Sequence, residues 1–219
     1  MSKKSYYAVL VGRKPGIYQH WEGKDGTAAQ VQGFVGAKYK GFATLEDAQN
    51  WLEGKPSHAL EQDMPASTIR LYSDGSCLTN PGPGGYGVVI KGGGYHKEFS
   101  AGFRMTTNNR MELRACIAGL QALRGRQTVE IYSDSSYLVN AMSKGWAKRW
   151  QANGWMRNRQ ERAENADLWQ VLLELAQQHT LTFHWLRGHA GHPENERCDQ
   201  LALQAAMRPN LPPDPGYSP

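Results

Sequence analysis

The chain is poor in cysteine and has no long apolar run, and both shortages narrow what it can be. Cys77, Cys116 and Cys198 are its 3 cysteines, and they stand far apart without metal-type spacing. That pattern argues against a disulfide scaffold or a cysteine-based zinc module and suits a reducing compartment. No stretch offers the roughly 20 apolar residues a membrane-spanning helix needs, and Lys3 and Lys4 lead into an alternating segment rather than a leader-like apolar block. A cytoplasmic chain with no membrane partner is expected. Acids are also in short supply: 20 Asp and Glu face 25 Lys and Arg, a formal net charge of +5, which favours a polyanionic partner. The 219 residues can hold one large domain and one small one.

What is present begins with IRLYSDGSCLTNPGPGGYG at 69–87, where a strand-like alternation delivers Asp74 into a glycine-rich stretch read as a loop. VEIYSDSS at 129–136 repeats the pattern and ends its strand in Asp134. If the two strands are parallel neighbours in register, their carboxylates stand about 4.8 Å apart at the carboxyl end of a sheet, where α/β folds bind ligands. Two further acids compete for notice, Glu112 and Asp199. Each of these has an ordinary explanation. Glu112 follows Asn109 by a capping-box interval, Asp134 can cap the next helix, and Asp199 can be a solvated charge beside the apolar stripe Cys198, Leu201, Ala202, Ala205. Taken together, four acids at one end of a sheet form an oxygen-only cluster of the kind that selects Mg²⁺ or Mn²⁺.

The run Asn80-Pro81-Gly82-Pro83-Gly84-Gly85 is no phosphate loop, because no Gly-Lys-Ser/Thr follows it. Ser76, Cys77, Asn80, Asn108 and Asn109 supply small polar groups suited to a minor groove that displays 2′-hydroxyls, although loops and helix caps use the same residues. His189, in the glycine-flanked loop of GHAGHPENERCDQLA, is placed to move protons beside a metal site. KGWAKRWQANGWMRNRQER, at 144–162, interleaves cations with Trp146, Trp150 and Trp155, some of which pack inward.

Four segments follow from composition and period. Residues 1–53 read as a small module with strands at 6–12, 17–20 and 38–42 and helices at 27–32 and 44–52, its core drawing on Tyr7, Phe34 and Phe42. Residues 54–67 read as a linker with two prolines. Residues 68–208 give an antiparallel meander and then alternating helices and strands, with helices at 110–123, 136–142, 166–178 and 193–206 and strands at 128–133 and 181–187. The proline-rich 209–219 reads as a disordered tail.

QVQGFVGAKYKGFATLEDAQNWL resembles the hybrid-binding domain at the N-terminus of many type 1 ribonucleases H. YSDGSCLTNPGPGGYG, TTNNRMEL, YSDSSYL and RGHAGHPENERCDQLA together resemble the bacterial type 1 ribonuclease H catalytic domain. The resemblance implies an α/β fold, with a mixed five-stranded ribonuclease H-like sheet and flanking helices, preceded by a small α+β hybrid-binding domain. It implies a monomeric endoribonuclease that hydrolyses the RNA strand of RNA/DNA hybrids, giving 5′-phosphate and 3′-hydroxyl ends. Asp74, Glu112, Asp134 and Asp199 match the family's metal-binding acids and His189 its loop histidine. Two Mg²⁺ ions about 3.5–4 Å apart are implied, bridged by Asp74, with Mn²⁺ as an alternative. Cys77, Asn80, Thr107, Asn108, Asn109, Ser136 and Trp146 match hybrid contacts of the catalytic domain, and Trp21, Lys38, Tyr39 and Lys40 those of the N-terminal one. Ser136 departs from the glutamine of many relatives.

Overall fold

A computed structural model describes residues 5–52, 68–188 and 192–218, and the chain divides into two compact units. The smaller is built on β1 (Tyr6–Val11), the centre of an antiparallel sheet in the order β2-β1-β3 with β2 (Gly16–Tyr18) and β3 (Lys38–Phe42). Helices α1 (Thr27–Val31) and α2 (Leu45–Leu52) accompany it. Thr44 caps α2 by accepting the Asp47 N–H at 3.1 Å, and Glu46 and Asp47 set negative charge against the helix dipole. So small a unit buries little, chiefly Ala8, Val9, Val31 and Ala48. Phe42 joins this packing through Trp51, with ring centroids 5.8 Å apart, and Tyr7 is half-buried. Phe34 does not belong to the core: it is 37% exposed in the loop after α1. Arg13 closes that helix instead, donating to the Ala29 and Gln32 carbonyls at 2.9 and 2.8 Å.

The larger unit holds β4 (Ile69–Cys77), β5 (Gly82–Gly92), β6 (Tyr95–Thr106), β7 (Thr128–Ser133) and β8 (Thr180–Trp185), ordered β6-β5-β4-β7-β8. β4, β5 and β6 form an antiparallel meander, while β4–β7 and β7–β8 are parallel. Its helices are α3 (Asn108–Gln121), α4 (Ser136–Ser143), α5 (Trp146–Ala152), α6 (Ala166–Gln178) and α7 (Pro193–Ala206). The main core sets Ile69, Leu71, Val88 and Ile131 of the sheet among Leu113, Ile117, Leu120, Trp169 and Leu172 of α3 and α6. A second cluster joins Tyr72, Val89, Tyr132 and Leu186 to Cys198 and Leu201 of α7. Among the described residues no helix is long and apolar enough to cross a membrane.

Two expectations change. The glycine-rich stretch is not a loop, since Asp74 lies inside β4 and Gly82–Gly92 is a strand. The glycines are there because α7 lies directly on the sheet. A Cβ at Gly85 would collide with the Ala202 carbonyl, one at Gly87 with that of Cys198, and one at Gly102 with that of Ala205. The tail is not disordered either. Asp214 is 5% exposed and binds Arg110 and Arg114 of α3 and the Thr106 hydroxyl, while the Arg104 N–H donates to the Pro212 carbonyl at 2.9 Å. One buried aspartate meeting the buried Arg110 and the half-buried Arg114 outweighs the proline-rich composition around it. The expected linker, 54–67, lies outside the described residues.

Candidate active site

Parallel pairing runs from Ile69↔Val129 to Tyr72↔Tyr132, so the next two residues of each strand bring Asp74 and Asp134 out side by side. The stacked rings of Tyr72 and Tyr132, 4.9 Å apart, mark the same register one step earlier. Asp134 is not the cap of α4: Ser135 is, accepting the Leu138 N–H at 3.3 Å. Glu112 is not part of a capping box at Asn109, because Thr107 caps α3 and accepts the Arg110 N–H at 3.4 Å. With the capping duties filled elsewhere, both carboxylates are left to the cluster. α3 reaches the sheet at Gly75, where a Cβ would run into the Glu112 and Met111 backbone.

One carboxylate oxygen of each of Asp74, Glu112 and Asp134 lies within 4.8 Å of the others. Asp74 is buried and accepts the Gly75 N–H at 2.8 Å, whereas the buried Glu112 Oε2 meets no hydrogen-bond donor among the described residues. Burial, then the charges of Asp74 and Asp134, push the Glu112 carboxyl well above the usual carboxylate range. Three clustered carboxylates, one with an oxygen left unsatisfied, suit a hard divalent cation and little else. Asp199 is not in this 4.8 Å group. It stands half-buried on α7, beside the Cys198 whose thiol feels the Asp74 charge. α7, which carries this fourth acid, lies on the face of the sheet at Gly85 and Gly87. His189 falls outside the described residues.

A polar patch adjoins the acids. The Cys77 N–H donates to Asn108 Oδ1 at 2.8 Å and the Asn108 N–H to Asn80 Oδ1 at 3.2 Å, which joins the end of β4 to the start of α3 at Thr107, Asn108 and Asn109. Burial, then the Asp214 charge, push the Cys77 thiol up to about 11, so it stays protonated. Ser136 is exposed at the first residue of α4. Trp146 lines a groove of about 480 Å³ with Tyr137, Arg149, Trp150 and Arg157, and the Lys144 ammonium sits 5.1 Å from its ring. Trp150 turns inward, edge-on to Trp169 at 5.9 Å.

The RNase H family model matches residues 66–207, and a model of the Ribonuclease H1 N-terminal domain matches 5–52. This chain belongs to the ribonuclease H family. It is similar to the Ribonuclease H of Desulforamulus reducens, 60% identical over 153 residues that span 70% of this chain and 96% of that protein. The Ribonuclease H of Syntrophus aciditrophicus is 57% identical over 162 residues, covering 74% and 94% respectively. Among solved structures, LC9-RNase H1, a type 1 RNase H with the type 2 active-site motif, superposes with a TM-score of 0.57 at 35% identity, over 66% of this chain and 74% of that one.

In the N-terminal unit of this ribonuclease H, Trp21 lies between Tyr7 and Tyr39, tilted to both rings, with centroid separations of 5.4 and 5.3 Å. Tyr39 is 46% exposed, flanked by exposed Lys38 and Lys40. Sequence reasoning missed three residues that shape this unit: Arg110, Asp214 and Trp185. Arg110 and Asp214 look like ordinary surface charges until the fold buries them together. Trp185 carries one legible signal, an aromatic at the end of an alternating strand.

Proposed function

We propose that this ribonuclease H cuts the RNA strand of RNA/DNA hybrids at the Asp74–Glu112–Asp134 cluster, with two Mg²⁺ ions as cofactors and Mn²⁺ as a substitute, leaving 5′-phosphate and 3′-hydroxyl ends. The observation that carries the reading is the convergence of three carboxylates, with a buried Glu112 oxygen that no group among the described residues satisfies. When bound, the ions supply the positive charge that stabilises the attacking and leaving oxygens.

The chain's own groups do the rest. Asp74, fixed by its neighbour's N–H, would hold the ions together with Glu112 and Asp134, with Asp199 as a fourth carboxylate. His189 moves protons as product leaves. Cys77, Asn80, Thr107, Asn108 and Asn109 line the minor groove, where 2′-hydroxyls identify the RNA strand. Ser136 adds a short polar contact, and Trp146 with its neighbouring cations holds the DNA strand. The N-terminal unit binds hybrid through Trp21, Lys38, Tyr39 and Lys40, ring faces stacking beside phosphates. The enzyme acts as a cytoplasmic monomer.

Labelled hybrid, duplex DNA and duplex RNA incubated with Mg²⁺, with and without chelator, test the reading. Only the hybrid should be cut, in its RNA strand and only with metal. Chelator-resistant cleavage, or cleavage of duplex DNA, overturns it.

A further inference from the structure

We propose that Trp185 is a positioning residue for Asp134, holding the end of β7 through its indole N–H. The inference rests on Asp134 belonging to the catalytic cluster. Trp185 closes the edge strand β8 and stands opposite Ser133 in the parallel register. Its ring is nevertheless 56% exposed, so its burial contributes little to the core. What the side chain does have is a defined partner: Nε1–H donates to the Asp134 carbonyl oxygen at 2.9 Å. One residue earlier the main chain makes the equivalent bond, the Leu186 N–H to the Ser133 carbonyl at 2.9 Å. The β7–β8 ladder is thus extended by one rung, and the last rung is an indole.

Asp134 needs this restraint. β7 ends at Ser133 and α4 begins at Ser136, which leaves Asp134 in the bend between them, and the helix cap is made by Ser135. The negative charge of Asp74 lies close by and repels its carboxylate. On the far side the carboxylate abuts the main chain of Gly188, where a Cβ would come within 2.6 Å of Asp134 Oδ2. Residues 185–188 therefore hold both ends of Asp134, the indole its carbonyl and Gly188 its side chain. A displacement on the ångström scale at a reacting centre is costly.

The test uses the full chain with Trp185→Phe, which keeps a ring and removes only the N–H, beside Trp185→Ala. In the metal-free protein, the indole N–H signal that disappears in Trp185→Phe should exchange slowly with solvent despite the exposed ring. Both variants should show kcat lowered about 3- to 10-fold, the size of one neutral hydrogen bond. A higher Mg²⁺ concentration for half-maximal rate should accompany this, with KM for hybrid unchanged and Tm lowered by no more than a few degrees. Fast indole exchange, wild-type kcat in Trp185→Phe, or a defect confined to Trp185→Ala overturns the proposal, as does a rise in KM alone, which would make Trp185 a substrate contact. Asp134→Asn is assayed in parallel. If that variant stays active, the cluster assignment itself fails, whereas an inactive Asp134→Asn beside a wild-type-like Trp185→Phe overturns only the role of Trp185.

Discussion

Glu112 carries a buried carboxylate oxygen that no donor among the described residues satisfies, beside two more acids, an arrangement that costs stability. Asp134→Asn keeps the shape and removes one charge. Groups one step removed from a metal already cost about 10- to 100-fold when altered, so loss of a ligand charge should lower kcat by more than about 100-fold. The same change relieves repulsion on Glu112, so the metal-free variant should melt higher than the metal-free parent. Calorimetric Tm in chelator and turnover at saturating Mg²⁺ check the pair, and a lower Tm with normal turnover would remove Asp134 from the site.

At the scale of elements, α7 and α3 are each fixed by a contact with no slack. Gly87→Ala puts a methyl against the Cys198 main-chain carbonyl, which cannot swing aside as a side chain can. Overpacking of this kind costs about 1–3 kcal/mol, and it should also lower turnover by displacing the helix that carries Asp199. Urea midpoint and kcat measured together test this, with unchanged values contradicting the close approach. For α3 the fixing element is the tail. The Arg110 and Asp214 side chains are 2% and 0% exposed, so Asp214→Asn leaves a buried guanidinium short of charge. Asp167 remains beside Arg110, which places the expected loss near the low end for a broken buried pair, about 3 kcal/mol.

Over the whole molecule, stability should fall with acid in two stages. Burial, then the Arg126 charge, lower the His179 pKa, and the neutral ring accepts the Gln127 N–H at 3.3 Å. A depressed histidine contributes stability that is complete above its unfolded pKa of about 6.5 and is lost as pH falls below that value. Burial alone would raise Asp214, but bonds from Arg110, Thr106 and Arg114 outweigh it and hold the carboxyl low. Its contribution is complete above about pH 3.9 and is lost below. Tm against pH should show both stages, and His179→Gln should remove only the upper one. The second whole-molecule prediction separates the units. A variant lacking residues 1–64 should keep kcat on short hybrids and show a higher KM on long ones, because a tethered second site raises effective concentration. Its salt dependence should flatten by roughly 0.9 log units for each phosphate the N-terminal unit neutralises, the value for a B-like duplex. A lower kcat on short hybrids would show that the N-terminal unit does more than bind.

Sequence alone determined what depends on local period and on repeated motifs. The twin Tyr-Ser-Asp strand ends gave the Asp74–Asp134 pairing, and helices such as Ala166–Gln178 and Pro193–Ala206 were legible from their apolar spacing. Tertiary structure decided what depends on who lies opposite. Gly85 read as part of a turn because the helix resting on it is far away in the chain. The tail read as disordered because its one anchoring aspartate gains its worth only from arginines on another element. Trp185 showed only as an aromatic at a strand end, because the bond of its indole N–H needs the end of another strand within 2.9 Å. Backbone propensity is written residue by residue, whereas close approach, burial of charge and positioning arise between residues that the sequence keeps apart.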